Sequence, residues 1–315
     1  LPAGSASFRP DQWDRPLPPA RVAEVLDLAG RAATVDGSYP LAEDAVLGLR
    51  QAEPPAPVHL LVSGPSGGLA GYAQLGRDTG ELVVRPEFRR RGIGRALATA
   101  ARAVVAAADP PRPLRLWSHG DHPDAAGLAR SLGFTRNRVL LRLGRSLADL
   151  PVRRLPDGVT IRPFRPGADD PAWLAVNARA FADHPEQGRW TTRELRLRLA
   201  APWFDPAGFL LAVRAGDGRL LGFHWTKTHP GSPGQPEPIG EVYVLGVDPD
   251  AQGLGLGAAL TLAGLWHLRE RGLDRVMLYV EESNRAALAL YTRLGFTRWS
   301  IDVGYTDEGR PDPGA

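Results

Sequence analysis

The sequence contains no cysteine. That excludes disulfides, a cysteine nucleophile and any thiolate metal site, and it is compatible with a reducing compartment. Excess charge is nearly absent too. The formal net charge is +3 over 315 residues, too small to point to nucleic acid. Lys227 is the only lysine, so arginine carries almost all the positive charge. With abundant Ala, Pro and Gly, this bias reads as the codon usage of a GC-rich genome rather than as a basic binding surface. No apolar run nears the ~18 residues of a membrane-spanning helix. The opening stretch LPAGSASFRPDQWDRPLPP lacks the apolar core of a signal peptide. It also lacks an initiating Met, which leaves the true start open. These absences make the cytoplasm the expected location, with neither a membrane nor nucleic acid as partner.

What the chain does have is an internal repeat. Glu81-Leu-Val-Val-Arg-Pro-Glu-Phe-Arg-Arg-Arg-Gly-Ile-Gly94 parallels Val244-Leu-Gly-Val-Asp-Pro-Asp-Ala-Gln-Gly-Leu-Gly-Leu-Gly257. Leu69-Ala-Gly-Tyr72 parallels Leu220-Leu-Gly-Phe223 upstream, and Ser131-Leu-Gly-Phe134 parallels Arg293-Leu-Gly-Phe296 downstream. Three matches in one order indicate a duplicated domain, in keeping with a length that suggests two domains. The expected division is a first domain over 1–145, a linker over 146–158 rich in turn residues, a second domain over 159–305 and a disordered tail over 306–315.

Each repeat reads as a mixed α/β unit. In the second, strands are expected over Phe209–Val213, Leu220–Lys227, Glu241–Val247, Val276–Val280 and Arg298–Val303. Helices are expected over Gly255–Arg271 and Asn284–Leu294, the latter closed by Gly295. In both repeats a Gly-rich loop joins a Val-rich strand to an Ala/Leu-rich helix. Glycines let the backbone take positive φ and approach a ligand closely. The free N–H groups of the helix's first turn favour an anion such as phosphate. A lone Gly-x-Gly more often marks a tight turn, but here it recurs in equivalent context. There is neither a dinucleotide-binding Gly-x-Gly-x-x-Gly nor a Walker Gly-Lys-Ser/Thr.

The Gln/Arg-x-x-Gly-x-Gly loop after its strand, with the later Asn284, Tyr291, Gly295 and Phe296, resembles the GNAT superfamily of acetyl-CoA-dependent N-acetyltransferases. The resemblance implies an α/β (mixed-sheet) fold of two tandem GNAT domains. It also implies acetyl-CoA as cosubstrate and no metal. The pantetheine-pairing role carries to Leu245, Gly246 and Val247, and by the repeat to Leu82, Val83 and Val84. The pyrophosphate role carries to Gln252, Gly253, Leu254, Gly255, Leu256 and Gly257, and to Arg89, Arg90, Arg91, Gly92, Ile93 and Gly94. Asn284 falls to the cofactor side.

Acetyl transfer needs a neutral amine and a proton for the departing thiolate. An α-amino group titrates near ~8 and a thiol near ~8.5, so a modest base suffices. Glu241, at the head of the strand leading to the loop, is the candidate base; the alternative is a solvated carboxylate at a strand end. Tyr291, seven residues beyond Asn284 and so on nearly the same helix face, is the candidate acid; the alternative is a core aromatic. In the first repeat Ala129 aligns with Tyr291, His122 falls near Asn284 and Asp78 aligns with Glu241. That domain is expected to bind acetyl-CoA and to catalyse poorly or not at all.

Longer strings resemble a narrower family, the mycothiol synthases, which are tandem GNAT enzymes. They are Phe181-Ala-Asp-His-Pro-Glu-Gln-Gly188, Trp203-Phe-Asp-Pro206, Leu221-Gly-Phe-His-Trp-Thr-Lys227, Gly240-Glu-Val-Tyr-Val-Leu-Gly-Val-Asp-Pro249, and Val35-Asp-Gly37 followed by Glu43. The implied acceptor is the cysteinyl amine of desacetylmycothiol, a cysteinyl–glucosamine–inositol. The implied substrate contacts are Glu43, Glu186, Lys227, Glu241 and Tyr279. Charged groups of this kind suit a polyol amine through charge-assisted hydrogen bonds. A GNAT acting on another amine, or a non-catalytic acyl-CoA sensor, remains the alternative.

Overall fold

The computed structural model describes residues 8–13, 16–50, 56–65, 67–76, 79–110, 112–152, 154–182, 184, 187–231 and 237–307, apart from the Glu43 side chain. The chain forms two compact units. Unit 1 takes residues 1–140 and 300–315, and unit 2 takes residues 141–299. No helix among the described residues is long and apolar enough to cross a membrane.

The first stretch of chain runs β1 (Asp11–Trp13), α1 (Pro19–Asp36), α2 (Glu43–Gly48), β2 (Val58–Ser63), β3 (Leu69–Leu75), β4 (Gly80–Val84), α3 (Ile93–Ala106), β5 (Leu114–His119), α4 (Pro123–Ser131) and β6 (Thr135–Ser146). The second runs β7 (Val159–Pro163), α5 (Asp170–Ala180), α6 (Thr192–Leu199), β8 (Phe209–Arg214), β9 (Leu220–His229), β10 (Ile239–Val247), α7 (Leu256–Glu270), β11 (Arg275–Glu281), α8 (Arg285–Arg293) and β12 (Thr297–Asp307).

The sheet of unit 1 has the order β1-β2-β3-β4-β5-β12. Its strands β2 and β3 are buried on both faces, and successive residues serve opposite cores. Leu60 and Val62 pack with Ile93, Leu97 and Ala101 of α3. Leu61 packs instead with Val25, Leu28 and Ala32 of α1. Helix α1 opens on Pro19, whose missing N–H costs nothing there, and closes on Gly37 in the left-handed region, φ 73°.

The sheet of unit 2 has the order β6-β11-β10-β9-β8-β7. One face carries an aromatic core in which Trp173, Phe209, Phe223 and Trp225 are fully buried. Trp225 stacks on Phe209 with centroids 4.2 Å apart. Helix α6 joins this side through a capping box, in which Glu194 accepts from the Thr191 backbone N–H at 2.9 Å. The other face is covered by α7 through Leu256 and Leu260 against Ala212 and Leu221.

Expected and observed elements agree to within a residue or two for most of unit 2. The last strand and the division into domains differ. Strand β12 extends to Asp307 instead of ending at Val303, so Thr306 and Asp307 are buried strand residues rather than tail. Residues 308–315 lie outside the described residues. From Ser300 onward β12 belongs to unit 1, where it pairs antiparallel with β5, Asp302 opposite His119 and Asp307 opposite Leu114. Alternation explains the destination, since Val303 and Tyr305 enter the α3 core beside Leu97 and Ala129. Burying such side chains stabilises by roughly 1.5–3 kcal/mol each. Strand β6 runs through Gly144, and the stretch expected to be a linker packs on unit 2. Leu147 donates its N–H to Asp274 O at 2.8 Å, and Trp266 Nε1 donates to Pro151 O at 3.1 Å. The units are therefore cut at Leu140/Leu141 and Trp299/Ser300, not over 146–158.

On its opposite face β12 is tied to unit 1 by a charged chain. His119 Nδ1 meets Asp302 Oδ2 at 3.1 Å, and its Nε2 meets Glu81 Oε1 at 2.9 Å. The remaining carboxylate oxygens accept from the Gly120 and Ala42 backbone N–H groups. Burial alone would lower the imidazole's pKa; the hydrogen bonds to Asp302 and Glu81 outweigh it and raise it to about 10.

The two Gly-rich loops share one backbone. Gly92 (φ 91°) and Gly255 (φ 78°) take left-handed conformations immediately before α3 and α7. Two residues earlier Gly253 does the same at φ 81°, but its counterpart is Arg90, at φ 61°. A side chain there costs about 1–2 kcal/mol, and the exposed Arg90–Asp124 contact at 3.9 Å returns little.

Two outcomes follow. Arg90→Gly should stabilise unit 1 by about 0.5–1 kcal/mol, the relieved strain less glycine's extra chain entropy. Thermal melting will show it as a higher Tm; an unchanged or lower Tm would mean that the conformation is not strained. For His119 the folded pKa lies above the unfolded value of about 6.5. Its stabilisation is complete below pH ~6.5 and is lost as pH rises through about 10. The Tm deficit of His119→Gln relative to the parent should therefore be largest near pH 6 and shrink toward pH 10. A deficit independent of pH would refute the charged network.

Candidate active site

In unit 2 the parallel ladder between β10 and β11 is short. It pairs Gly240, Glu241 and Val242 with Val276, Met277 and Leu278. Beyond it β10 shifts register against β9 between Val242 and Val244, then continues to Val247 paired only on the β9 side. Leu245, Gly246 and Val247 thus present one backbone edge without a strand partner among the described residues. Unit 1 repeats the pattern, with β4 and β5 pairing only through Gly80 and Glu81 while Leu82, Val83 and Val84 run on. Such an edge can pair with an extended amide-bearing ligand as an added strand does.

The strand then turns at Asp248, which is buried, accepts from the Asp250 N–H at 2.9 Å and is held by Arg179, also at 2.9 Å. Gln252 follows in extended conformation, and Gly253 and Gly255 turn the chain into α7. A Cβ built on either glycine meets nothing within 4 Å, so the space above the loop is open. Leu254 projects to solvent, whereas Leu256 turns into the core. Gly257 lets α8 approach, since a Cβ there would stand 3.3 Å from Leu290. The first turn of α7 begins at this loop, where its free N–H groups suit an anion.

The proposed chemistry sits on neighbouring strands. Glu241 is buried, not a solvated carboxylate at a strand end, and its Oε2 lies 2.6 Å from His229 Nε2. Lys227 stands directly opposite it on β9, buried and 4.7 Å above the Trp203 ring. Tyr279 lies on β11 two residues past Met277, the partner of Glu241, and so shares its face with its side chain exposed. Tyr291 on α8 is buried against Phe296, with centroids 5.5 Å apart. Burial pushes its hydroxyl above the ordinary phenol range, so it keeps its proton at neutral pH. Asn284 caps α8, its Oδ1 accepting from the Ala287 N–H at 3.0 Å.

Not every expected contact falls within reach. Glu186 lies outside the described residues. Glu43 begins α2 of unit 1, and its backbone alone is described. His229 was not singled out by sequence reasoning. Its signal was strand alternation, which puts it on the face of Lys227 two residues earlier.

Unit 1 holds a cavity of about 740 Å3 lined by Leu82, Val84, Arg90, Gly92, His119 and Ala129 among others. Its loop arginines differ in use. Arg89 makes a bidentate pair with Asp36, both contacts at 2.7 Å, while Arg90 is exposed and Arg91 lies 5.4 Å over Phe88. Ile93 is buried in the core, and Gly94 admits Leu128 as Gly257 admits Leu290. His122 occupies the N-cap of α4, the position of Asn284 on α8, but its Nε2 meets Ser38 Oγ at 2.8 Å. Ala129 is a buried methyl in Tyr291's place. Asp78, aligned with Glu241, lies outside the described residues.

Comparison with known proteins places this geometry. The profile of the acetyltransferase (GNAT) family matches residues 173–296, and that of an acetyltransferase (GNAT) domain matches residues 58–136. The mycothiol acetyltransferase of Salinispora arenicola is 59% identical over 307 residues, covering 95% of this chain and 97% of its own. That of Geodermatophilus obscurus is 56% identical over 298 residues, covering 92% and 95%. Among solved structures, a GCN5-related N-acetyltransferase from Sphaerobacter thermophilus superposes with a TM-score of 0.73 at 24% identity, covering 96% of this chain and 98% of its own. A tandem GNAT protein from the clavulanic acid biosynthesis pathway gives 0.72 at 24% identity, covering 97% and 99%. At that identity the structures speak for the fold alone, but the sequence relatives go further: this chain belongs to the mycothiol acetyltransferase family, acyltransferases of the tandem GNAT fold.

Proposed function

We propose that the protein transfers the acetyl group of acetyl-CoA to the cysteinyl amine of desacetylmycothiol in the cytoplasm, yielding mycothiol and CoA. The name of the relatives supports the acceptor. One geometric observation carries the chemistry. Glu241 is buried on the same strand, β10, whose far end offers its unpaired backbone edge at Leu245–Val247. Base and thioester would thus be held by one rigid element, which is what near-attack positioning requires.

Acetyl-CoA would supply the thioester, with its pantetheine arm along Leu245, Gly246 and Val247 and its pyrophosphate over Gln252 to Gly257. Glu241 takes a proton from the acceptor's ammonium, freeing the lone pair for attack on the carbonyl carbon. As the carbon–sulfur bond breaks, Tyr291 gives its proton to the leaving sulfur. Protonating the sulfur as the bond breaks spares the site a buried thiolate, and the phenol still holds its proton at neutral pH. Lys227, Glu241 and Tyr279, which share one face of the unit 2 sheet, bind the polyol acceptor. Unit 1 binds acetyl-CoA along Leu82, Val83 and Val84 and over the loop from Arg89 to Gly94, without turnover, for want of a proton donor at Ala129.

Tyr291→Phe keeps the ring against Phe296 and removes only the hydroxyl. It should lower kcat by ~10²–10⁴-fold with little change in KM for acetyl-CoA. An unchanged chemical step in a rapid-mixing experiment would remove Tyr291 from this role.

The product test uses desacetylmycothiol, a short peptide amine and glucosamine, each with acetyl-CoA, read by mass spectrometry. Acetylation of the cysteinyl amine at a far higher kcat/KM than the other two is the expected result. Preference for the peptide or the aminosugar would overturn the acceptor, and tight CoA binding with no product would overturn the enzyme. In the same assay Gly255→Val should abolish product and Gly92→Val should leave substantial activity. Melting curves must show that both variants fold. The reverse pattern would mean that unit 1 is the catalytic unit.

A further inference from the structure

Acetylation of an ammonium consumes RNH3+ and a thioester and yields an amide, a thiol and one proton. The carbon–nitrogen bond forms, the carbon–sulfur bond breaks, and of the two amine protons lost, one replaces that given to sulfur and the other must reach solvent. On the proposed function, Glu241 receives the proton bound for solvent. Its side chain is only 10% exposed, so it needs an exit before the next turnover.

Strand geometry supplies one. Lys227 and His229 alternate onto the face of β9 that carries Glu241 on β10, and Ile239, not Glu241, lies directly opposite His229. His229 therefore reaches Glu241 diagonally, as long side chains on adjacent strands can. It does so at 2.6 Å, Nε2 to Oε2, while 30% of its side chain remains exposed at the end of the strand. It thus joins the buried carboxylate to the exposed end of the strand.

We propose that His229 relays the proton from Glu241 to solvent and sets the orientation of that carboxylate, acting through Glu241 rather than on the substrate. The chemistry of the pair suits this. An imidazole carries two nitrogens, so it can accept at Nε2 and release at Nδ1. The other titratable groups turned to this face are Lys227 from β9, Tyr243 from β10, Arg275, Tyr279 and Glu281 from β11, with Glu237 paired to Arg275 at 3.3 Å, and Arg142 from β6, whose Nε donates to Met277 Sδ at 3.0 Å. Arg198 from α6 donates to the Tyr243 hydroxyl at 2.8 Å. None of these is a residue type that titrates near neutrality in water, so a near-neutral change on replacing His229 reports the relay itself.

The test compares the parent enzyme with His229→Gln, His229→Ala and Glu241→Gln, using desacetylmycothiol and acetyl-CoA from pH 6 to 9. Glutamine can still donate to Glu241 but cannot carry a proton. His229→Gln should lose ~10-fold or more in kcat, keep its KM for acetyl-CoA and show an altered near-neutral limb of the pH profile. His229→Ala should regain activity with added imidazole, in proportion to the imidazole free base. Full kcat with an unchanged pH profile in His229→Gln would overturn the relay, and so would loss in His229→Ala that imidazole does not restore. If His229→Ala fails to melt cooperatively, the His229→Gln profile decides alone. Glu241→Gln separates the two levels. An active Glu241→Gln sinks the assignment of the base, whereas an inactive one beside a normal His229→Gln sinks the relay only.

Discussion

The site depends on the early end of one parallel ladder. Strands β10 and β11 pair over three residues and then part, while β10 stays bound to β9 on its other edge. A half-buried backbone edge left without a partner is costly, on the order of 1–3 kcal/mol for each unsatisfied group. An extended ligand with amides of its own removes that cost. The register shift between Val242 and Val244 turns β10 at the same place. It lets Glu241 lie in the paired part of the strand and Leu245–Val247 in the unpaired part. The Gly-rich loop and α7 follow at once, so the positions proposed for base, arm and phosphate are consecutive along one piece of backbone.

Unit 1 keeps that frame and changes the chemistry within it. Its strands part after Glu81, its loop turns through Gly92, and Leu128 fills the notch at Gly94 as Leu290 does at Gly257. The groups at the mouth of the splay are occupied otherwise. Glu81, His119 and Asp302 satisfy one another and nearby backbone N–H groups. Arg89 is spent on Asp36, and a methyl replaces the phenol. A saturated network of this kind holds the last strand in place. In unit 2 the corresponding face carries a buried lysine beside a buried carboxylate that meets an imidazole at 2.6 Å, next to an aromatic wall of Trp203, Trp225 and Tyr243.

Much of this was legible in local sequence because it is local in cause. Apolar alternation and Gly/Pro punctuation placed β8, β9, β10 and α7 nearly to the residue, since strands and helices with strong patterns need no distant information. Gly255 and Gly92 were legible because positive φ before a helix leaves few other choices. The duplication exposed Ala129 as the missing Tyr291. Helix α6, by contrast, escaped notice; it is short, and its capping box at Thr191 and Glu194 precedes a run dominated by arginine and leucine rather than a clear apolar stripe.

By itself, then, the sequence determined the two GNAT frames, the loops, and the residue types at Glu241, Tyr291 and Lys227, because each is set by neighbours along the chain. Only the tertiary structure decided where β12 goes, since the face bearing Val303 and Tyr305 is apolar enough for any core and the choice rests on α3, β5 and His119. It alone decided that Glu241 is buried and touches His229, because the register between β9 and β10 is a property of pairing, not of either strand. It also turned Arg89 to Asp36, a contact made across space between residues that no sequence spacing ties together.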